Sequence, residues 1–549
     1  MLLHHFSYIS LIFLQAHIAA AAHGWITLVN STPYSWHLTH SHSYQMRAWH
    51  PLKAVEAGSS QEFFYQYSIK TNKDDAAEAT YTISNYTLPG VCGNTSFTIQ
   101  VRSREHKRIE VQYNNGLSSL GNSENTLLNL GREESGSIPF VLAGDGKDVP
   151  FISNNPPVAW MQASLPIIGN RTLQQFSMLA SHDSGASEIT KSYMGIRQNT
   201  LTQSQHVYGQ LVSGARVLDI RPALRNGKWY TSHLAVINRL TAFGALTRTL
   251  EDVIRDINEF MVKYPGELII LDISHDVSRR EWSRLSDEEW TVFYKQLLAI
   301  NNLWEAPNLL REDIATVPLS LFIRPGSESA VVIRVPRYAP LPDEERIAKH
   351  LPFLRKNKID GPETSDSSTQ LDPTNGILDK DRLANGSFSI AKPKEPTTVS
   401  RLPVFHPSSL PISGEYSNTL SSRRLVKSQL ARLHAHKLST TPSMFRSVWT
   451  LTQNWQQVLN VGMFRKTILS LSVHARRQMY KSLWKAIKEE GIIPNLVEID
   501  DVRGHNMIAF VMAINYLSSK PQFDVGYNNT NLALASRRSR RKRAILHVS

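Results

Sequence analysis

Two patterns of apolar and polar positions divide the chain. From residue 23 to about 150, GWITLVNST, EFFYQYSIK, EATYTIS and SFTIQVRS are short runs of β-branched and aromatic residues. Gly, Asn, Ser and Pro separate them, and no helical period interrupts them, which predicts a small antiparallel β-sandwich. From about residue 165, strand-like runs alternate with helical ones. FSMLASHDSG and ARVLDIRPAL each pass from apolar into polar residues. The segment Leu250 to Tyr264 then carries Leu250, Val253, Ile254, Ile257, Phe260 and Met261 on one helical face. Pro265 and Gly266 stop that helix, and ELIILDISHD follows as a buried strand. Later apolar runs are AVVIRV at 330–335, MFRSVWTLT at 444–452 and NLVEIDDV at 495–502. Repeated strand–helix units with polar strand ends predict an α/β fold, a (β/α) barrel carrying its site at the C-terminal ends of the strands.

Three segments stand outside this rhythm. Residues 340–412 are rich in Pro, Ser and Thr and read as a long surface insertion or disordered loop. Residues 1–22 resemble a secretory signal peptide, with an apolar core from Ile9 to Leu14 and small residues from Ala19 to Ala22. That core is far shorter than the ~20 apolar residues of a membrane span. Residues 521–549 form a basic tail with six basic residues between Arg537 and Arg543. A solvated or processed tail is the first reading and contact with anionic lipid the second. No apolar stretch follows that would make a lipid-anchor signal.

Composition narrows the compartment. Six N-x-Ser/Thr sequons, at Asn30, Asn85, Asn94, Asn170, Asn385 and Asn528, fit an exported glycoprotein. Cys92 is the one cysteine, which excludes an intrachain disulfide and cysteine-rich metal or redox motifs, and it reads as a small buried apolar residue. A chain of 549 residues with 41% hydrophobic residues is long enough to fold on its cores alone. Lys and Arg outnumber Asp and Glu by 60 to 47, a net charge of +13 that favours anionic partners. The excess is spread along an exported chain, which argues against nucleic acid and leaves an anionic membrane or a phosphorylated substrate.

Four segments put acid–base groups at predicted strand ends. LASHDSG supplies His182 and Asp183, and VLDIRP places Asp219 and Arg221 on one strand face. WYTSHL supplies His233, and VEIDDV supplies Asp500. With 20 histidines in the chain, one alone is most often a surface or core residue, and Asp219 with Arg221 alone is an ordinary ion pair. Together they suit phosphodiester cleavage by an internal hydroxyl. One group takes the hydroxyl proton, another protonates the leaving oxygen, and a guanidinium stabilises charge on the phosphoryl oxygens. That first step needs neither water nor a metal, and no cofactor is expected.

LASHDSG, then VLDIRP, then a nearby His and a YPGELIILDISHD strand resemble the X domain of phosphatidylinositol-specific phospholipase C. The likeness is greatest to the bacterial type and to secreted fungal relatives, over about residues 160–520. GEYSNT at 414–419 and WTLTQ at 449–453 are similar to later segments of the same family. The resemblance implies a distorted TIM-type barrel cleaving phosphatidylinositol or a glycosylphosphatidylinositol anchor to diacylglycerol and a cyclic inositol phosphate. It implies His182 as general base oriented by Asp500, and His233 as general acid partnered by Asp183. It further implies Arg221 as the phosphate-binding guanidinium beside Asp219, Arg334 as a ring-binding residue and Tyr416 as an aromatic platform. Calcium-dependent relatives carry carboxylates where Arg221 and Ser274 stand, so the resemblance implies a metal-independent enzyme. Bacterial members have a Lys near the position of Ser274, so ring recognition is expected to differ here. Two alternatives remain at this point. One is a glycerophosphodiesterase or sphingomyelinase-D-like barrel enzyme, disfavoured by Asp-x-Arg where those hold Mg²⁺ with Glu-x-Asp. The other is a catalytically silent binding protein at a lipid or cell surface.

Overall fold

Four strands of almost unbroken apolar sequence, Met178–Ser181, Ala215–Ile220, Leu268–Ile273 and Leu496–Ile499, are buried along their whole length. Strands covered on both faces belong in a parallel sheet, because helical crossovers lie over both sides. The computed structural model, which describes residues 22–68, 74–86, 94–238, 241–278, 282–305, 313–342, 403–453 and 467–520, joins them in one eight-stranded sheet. The order is Val404–Phe405, Ala330–Arg334, Leu268–Ile273, Ala215–Ile220, Met178–Ser181, Leu496–Ile499, Met444–Trp449 and Ile412–Ser413. Every pairing is parallel. The first strand of this sheet, Met178–Ser181, pairs with the last, Leu496–Ile499, and the consecutive short strands at 404–405 and 412–413 form its two opposite edges.

The first of these edge strands falls inside the stretch 340–412 expected to be an insertion, and the second begins at its last residue. The sheet therefore resumes at residue 404, earlier than the composition implied. Pro403, Pro407 and Pro411 flank strands of only two residues, too short to show an alternating pattern. Residues 1–21 of the expected signal peptide, Cys92, Asn385, Asn528, residues 343–402 and the basic tail lie outside the described residues, whereas Ala22 is buried and its carbonyl accepts from the Tyr67 amide.

The helix predicted from Leu250 spans Leu250–Lys263 and buries the expected apolar face. Thr249 caps it by accepting a hydrogen bond from the Asp252 amide at 3.1 Å, and Glu251 and Asp252 complement the positive end of its dipole. A longer helix, Ile468–Glu490, precedes the strand Leu496–Ile499 and ends at Gly491, whose φ of +65° closes the last turn.

Residues 23–153 form two further sheets of five and six strands that share one aromatic core. Trp36, Phe97 and Phe140 meet there, with ring centroids 4.6–6.1 Å apart. The arrangement is not purely antiparallel, as expected above, because His23–Ser31 pairs in parallel with Ser137–Ala143. Two strands so far apart in sequence can adopt either direction, since the connection between them is long enough for both. Asn30 is fully buried and its amide donates to the carbonyls of Tyr34, Val55 and Glu56 at 2.7–3.2 Å. That sequon is therefore structural, whereas Asn85, Asn94 and Asn170 are exposed. The N-terminal sheets dock on the long helix. Trp484 Nε1 donates to the Gly58 carbonyl at 3.1 Å, and Arg477 pairs with Glu62 while its guanidinium covers the Trp25 ring.

Candidate active site

The chain leaves the strand Met178–Ser181 at His182, and its neighbour Leu496–Ile499 leads into Asp500, so parallel pairing brings the two together. His182 Nδ1 lies 2.6 Å from Asp500 Oδ1. On the other side, Arg221 Nη2 donates to His182 Nε2 at 2.8 Å. A nitrogen accepting from a guanidinium carries no proton, so the imidazole is neutral, with its hydrogen on Nδ1 toward Asp500. Arg221 follows the adjacent strand, and strand alternation folds it back over Asp219, whose Oδ2 accepts from Nε and Nη2 at 3.1 and 2.9 Å. Asp219 Oδ1 accepts from the Ser274 hydroxyl at 2.6 Å, and Oδ2 also takes the Asp183 amide at 2.9 Å.

His233 arrives differently. It sits within the strand Lys228–Asn238 of a separate four-stranded antiparallel sheet, not at the end of a barrel strand as expected. Two glycines permit that approach. A Cβ on Gly185 of the SHDSG turn would fall 2.1 Å from the Thr231 hydroxyl, and one on Gly244 would fall 2.0 Å from the His233 carbonyl. His233 Nδ1 lies 2.6 Å from the Thr200 carbonyl, to which it donates. Asp183, the expected partner, stands 4.0 Å away, beyond hydrogen-bond distance. Thr200 takes that place because its backbone oxygen is nearer.

The electrostatics separate these groups. Burial pulls the His182 pKa down, but the charge and hydrogen bond of Asp500 outweigh that and hold it above its ordinary value, against opposition from Arg221. Burial, with Arg221 adding to it, pushes His233 down to about 4. Burial pushes Asp183 up to about 6 even though Arg221 lies 3.3 Å away, and neither of its carboxylate oxygens accepts a hydrogen bond. Burial acts the same way on Asp219, but Arg221 overcomes it and holds that carboxyl well below the usual range.

His182, Arg221, His233, His275, Tyr416 and Asp500 form the polar side of a cavity of about 370 Å³, whose lining does not include Asp183 or Asp219. Ala235, Phe243, Leu451 and Ile468 form its apolar wall. The Tyr416 ring centroid is 5.1 Å from that of His182, and its hydroxyl accepts from Arg221 at 3.3 Å. Arg334 does not line this cavity. Its guanidinium is paired with Asp272 at 2.6 Å and with the Leu410 carbonyl at 2.9 Å. Asp272 also pairs with Arg446, which lies 3.5 Å from Glu498. His275 and the Thr200 carbonyl were not anticipated. His275 was visible in DISHD, whereas a backbone oxygen leaves no mark in sequence.

Beside the mouth, Met194, Ile196, Val236 and Ile237 are 42–65% exposed. They make up four of the twelve exposed large apolar side chains among the described residues, and Lys191 and Arg197 stand exposed among them. Among the described residues no cluster of His, Cys, Asp or Glu is arranged to hold a metal ion, and no helix is long and apolar enough to cross a membrane.

No family model matches the chain, and no curated protein matches it. Among solved structures it is similar to phosphatidylinositol-specific phospholipase C from Staphylococcus aureus, with 13% identity and a TM-score of 0.40, over 66% of this chain and 97% of that one. A mutant of the same enzyme gives 15% identity and a TM-score of 0.40, over 65% and 97%. The enzyme from Listeria monocytogenes gives 14% identity and a TM-score of 0.38, over 65% and 98%. Scores this low carry no argument about function, which rests on the site's own geometry.

Proposed function

We propose that the protein is an exported phosphodiesterase with a distorted TIM-type barrel and an N-terminal sandwich. In this reading it cleaves phosphatidylinositol or a related glycolipid anchor to diacylglycerol and a cyclic inositol phosphate. The observation that carries the reading is the Asp500–His182–Arg221 chain, in which a guanidinium nitrogen rests on the lone pair of an oriented, neutral imidazole. A phosphodiester anion entering the cavity offers Arg221 a stronger acceptor than His182 Nε2. Transfer of that hydrogen bond to a phosphoryl oxygen frees Nε2 next to the reacting phosphorus.

The inositol 2-hydroxyl then attacks phosphorus and passes its proton to His182 Nε2. The new O–P bond closes the cyclic phosphate as the P–O bond to diacylglycerol breaks. His233, with Nδ1 committed to Thr200, delivers the proton on Nε2 to the leaving oxygen. Its pKa of about 4 belongs to the ligand-free cavity, and a bound phosphate anion raises it toward the value an acid needs. Arg221 supplies the positive charge for the phosphoryl oxygens, and its pairs with Asp219 and Asp183 fix its plane. The N-terminal apolar segment and the exposed sequons at Asn85, Asn94 and Asn170 support export. His182→Ala and His233→Ala should each abolish turnover while circular dichroism shows the fold retained. Activity surviving in either variant would remove the role given to that residue.

A further inference from the structure

Arg476 lies in the middle of the helix Ile468–Glu490 and is 2% exposed. A buried guanidinium persists only with its hydrogen bonds filled and its charge paired. Its Nη1 donates to the carbonyls of Asp500 and Asp501 at 3.1 and 3.3 Å, and to the Ser472 hydroxyl at 3.0 Å. Its Nη2 donates to Glu133, in the turn that leads into Ser137–Ala143 of the N-terminal sheets. That turn presses on the helix so closely that a Cβ at Gly136 would fall 2.2 Å from Val473 Cγ1. One guanidinium thus ties an N-terminal carboxylate to the backbone that carries the carboxylate partner of His182.

We propose that the N-terminal sheets are part of the catalytic unit, with Glu133 acting through Arg476 to position the Asp500–Asp501 turn against His182. Both are positioning residues, and their role rests on the reading of His182 as the base. The turn has other supports. The Asp501 amide donates to the Thr202 carbonyl at 2.8 Å, and the Asp501 carboxylate takes Ser204 and Arg503. None of these opposes the Arg476 charge as directly as Glu133 does. Loss of Glu133 leaves Asp501 Oδ2, 3.7 Å from Arg476 Nη2, as the remaining carboxylate on that guanidinium, so more of its positive charge bears on the turn and weakens the hold of Asp500 on the His182 proton. His182 itself is faced by Asp500, Arg221, Tyr416 and Glu498, and it also interacts with Asp183, Asp219 and His233; of these the change bears only on Asp500.

The test compares Glu133→Gln with Glu62→Gln. The second variant breaks the Arg477 pair at the same interface but has no contact with the turn. The readouts are kcat on phosphatidylinositol vesicles and the His182 titration in full-length protein carrying ¹³Cε1-histidine. The His182 resonance is assigned by its loss in His182→Gln. Glu133→Gln should lower the His182 pKa and reduce kcat by about tenfold, and Glu62→Gln should change neither. Glu133→Asp, which keeps the charge, should recover part of the shift. An unmoved His182 titration in Glu133→Gln, or equal effects from the two variants, would overturn the proposal. If the wild type turned over no phosphodiester, the functional reading would fail while the titration still decided the coupling.

Discussion

Asp500→Asn removes a charge while keeping the side chain's shape, and the amide oxygen of Asn can still accept the proton on His182 Nδ1. What is lost is the ionic part of a 2.6 Å contact between groups with side chains only 2% and 12% exposed. A hydrogen bond to a charged partner is worth about 1.5–3 kcal/mol and a neutral one about 0.5–1.5 kcal/mol. The difference grows as the reaction proceeds, because His182 becomes an imidazolium that only the carboxylate can neutralise. A loss of about 2–3 kcal/mol in the transition state corresponds to roughly a 30- to 150-fold fall in kcat. The ground state moves as well. Without Asp500, burial and Arg221 both act to lower the His182 pKa, so it falls below its ordinary value. The acid limb of kcat/KM should then shift to lower pH in steady-state assays, with the melting temperature showing the fold intact. Wild-type kcat in Asp500→Asn, or an acid limb that stays in place, would refute the assignment of Asp500 as the orienting carboxylate.

Asp183 and the rim give two further predictions. The folded pKa of Asp183 is raised from 3.8 to about 6, so the folded state holds its proton more tightly than the unfolded state. Stability therefore falls as pH rises through that window and is fully reduced above it, by about 3 kcal/mol at ~1.4 kcal/mol per unit. Asp183→Asn should be more resistant to urea than wild type at pH 8, with the advantage fading below pH 4 or so, and it should be less active because Arg221 loses one anchor. An equal or lower urea midpoint at pH 8 would contradict this. At the mouth, Ile237→Asp should weaken sedimentation with anionic vesicles by tenfold or more, since burying one such side chain is worth about 1.5–3 kcal/mol. Hydrolysis of a short-chain soluble substrate should be unchanged, and equal loss on both substrates would refute the expectation that the exposed apolar side chains Met194, Ile196, Val236 and Ile237 meet the lipid surface.

What could be read in advance follows from which atoms do the work. SHDSG and VLDIRP keep their chemistry within a few residues, and strand alternation alone puts Arg221 over Asp219. The continuous apolar runs likewise announced buried parallel strands. The partner of His233 was not legible, because the Thr200 oxygen belongs to the backbone and lies 33 residues away. The pairing of Arg334 was hidden for a different reason. That residue stands directly across from Asp272 in the sheet, and only the strand register makes their pairing visible. The strands at 404–405 and 412–413 are too short for a period to emerge, so proline content masked them. The long-range tie from Glu133 to the Asp500 turn depends on how the N-terminal sheets dock, which no local pattern encodes.

The most direct measurement is phosphorus NMR of the purified protein with phosphatidylinositol vesicles in EDTA. The account predicts a cyclic inositol phosphate resonance that grows with time and is absent with His182→Ala. An unchanged phospholipid spectrum, or the acyclic monophosphate as the first product, would contradict attack by the internal hydroxyl.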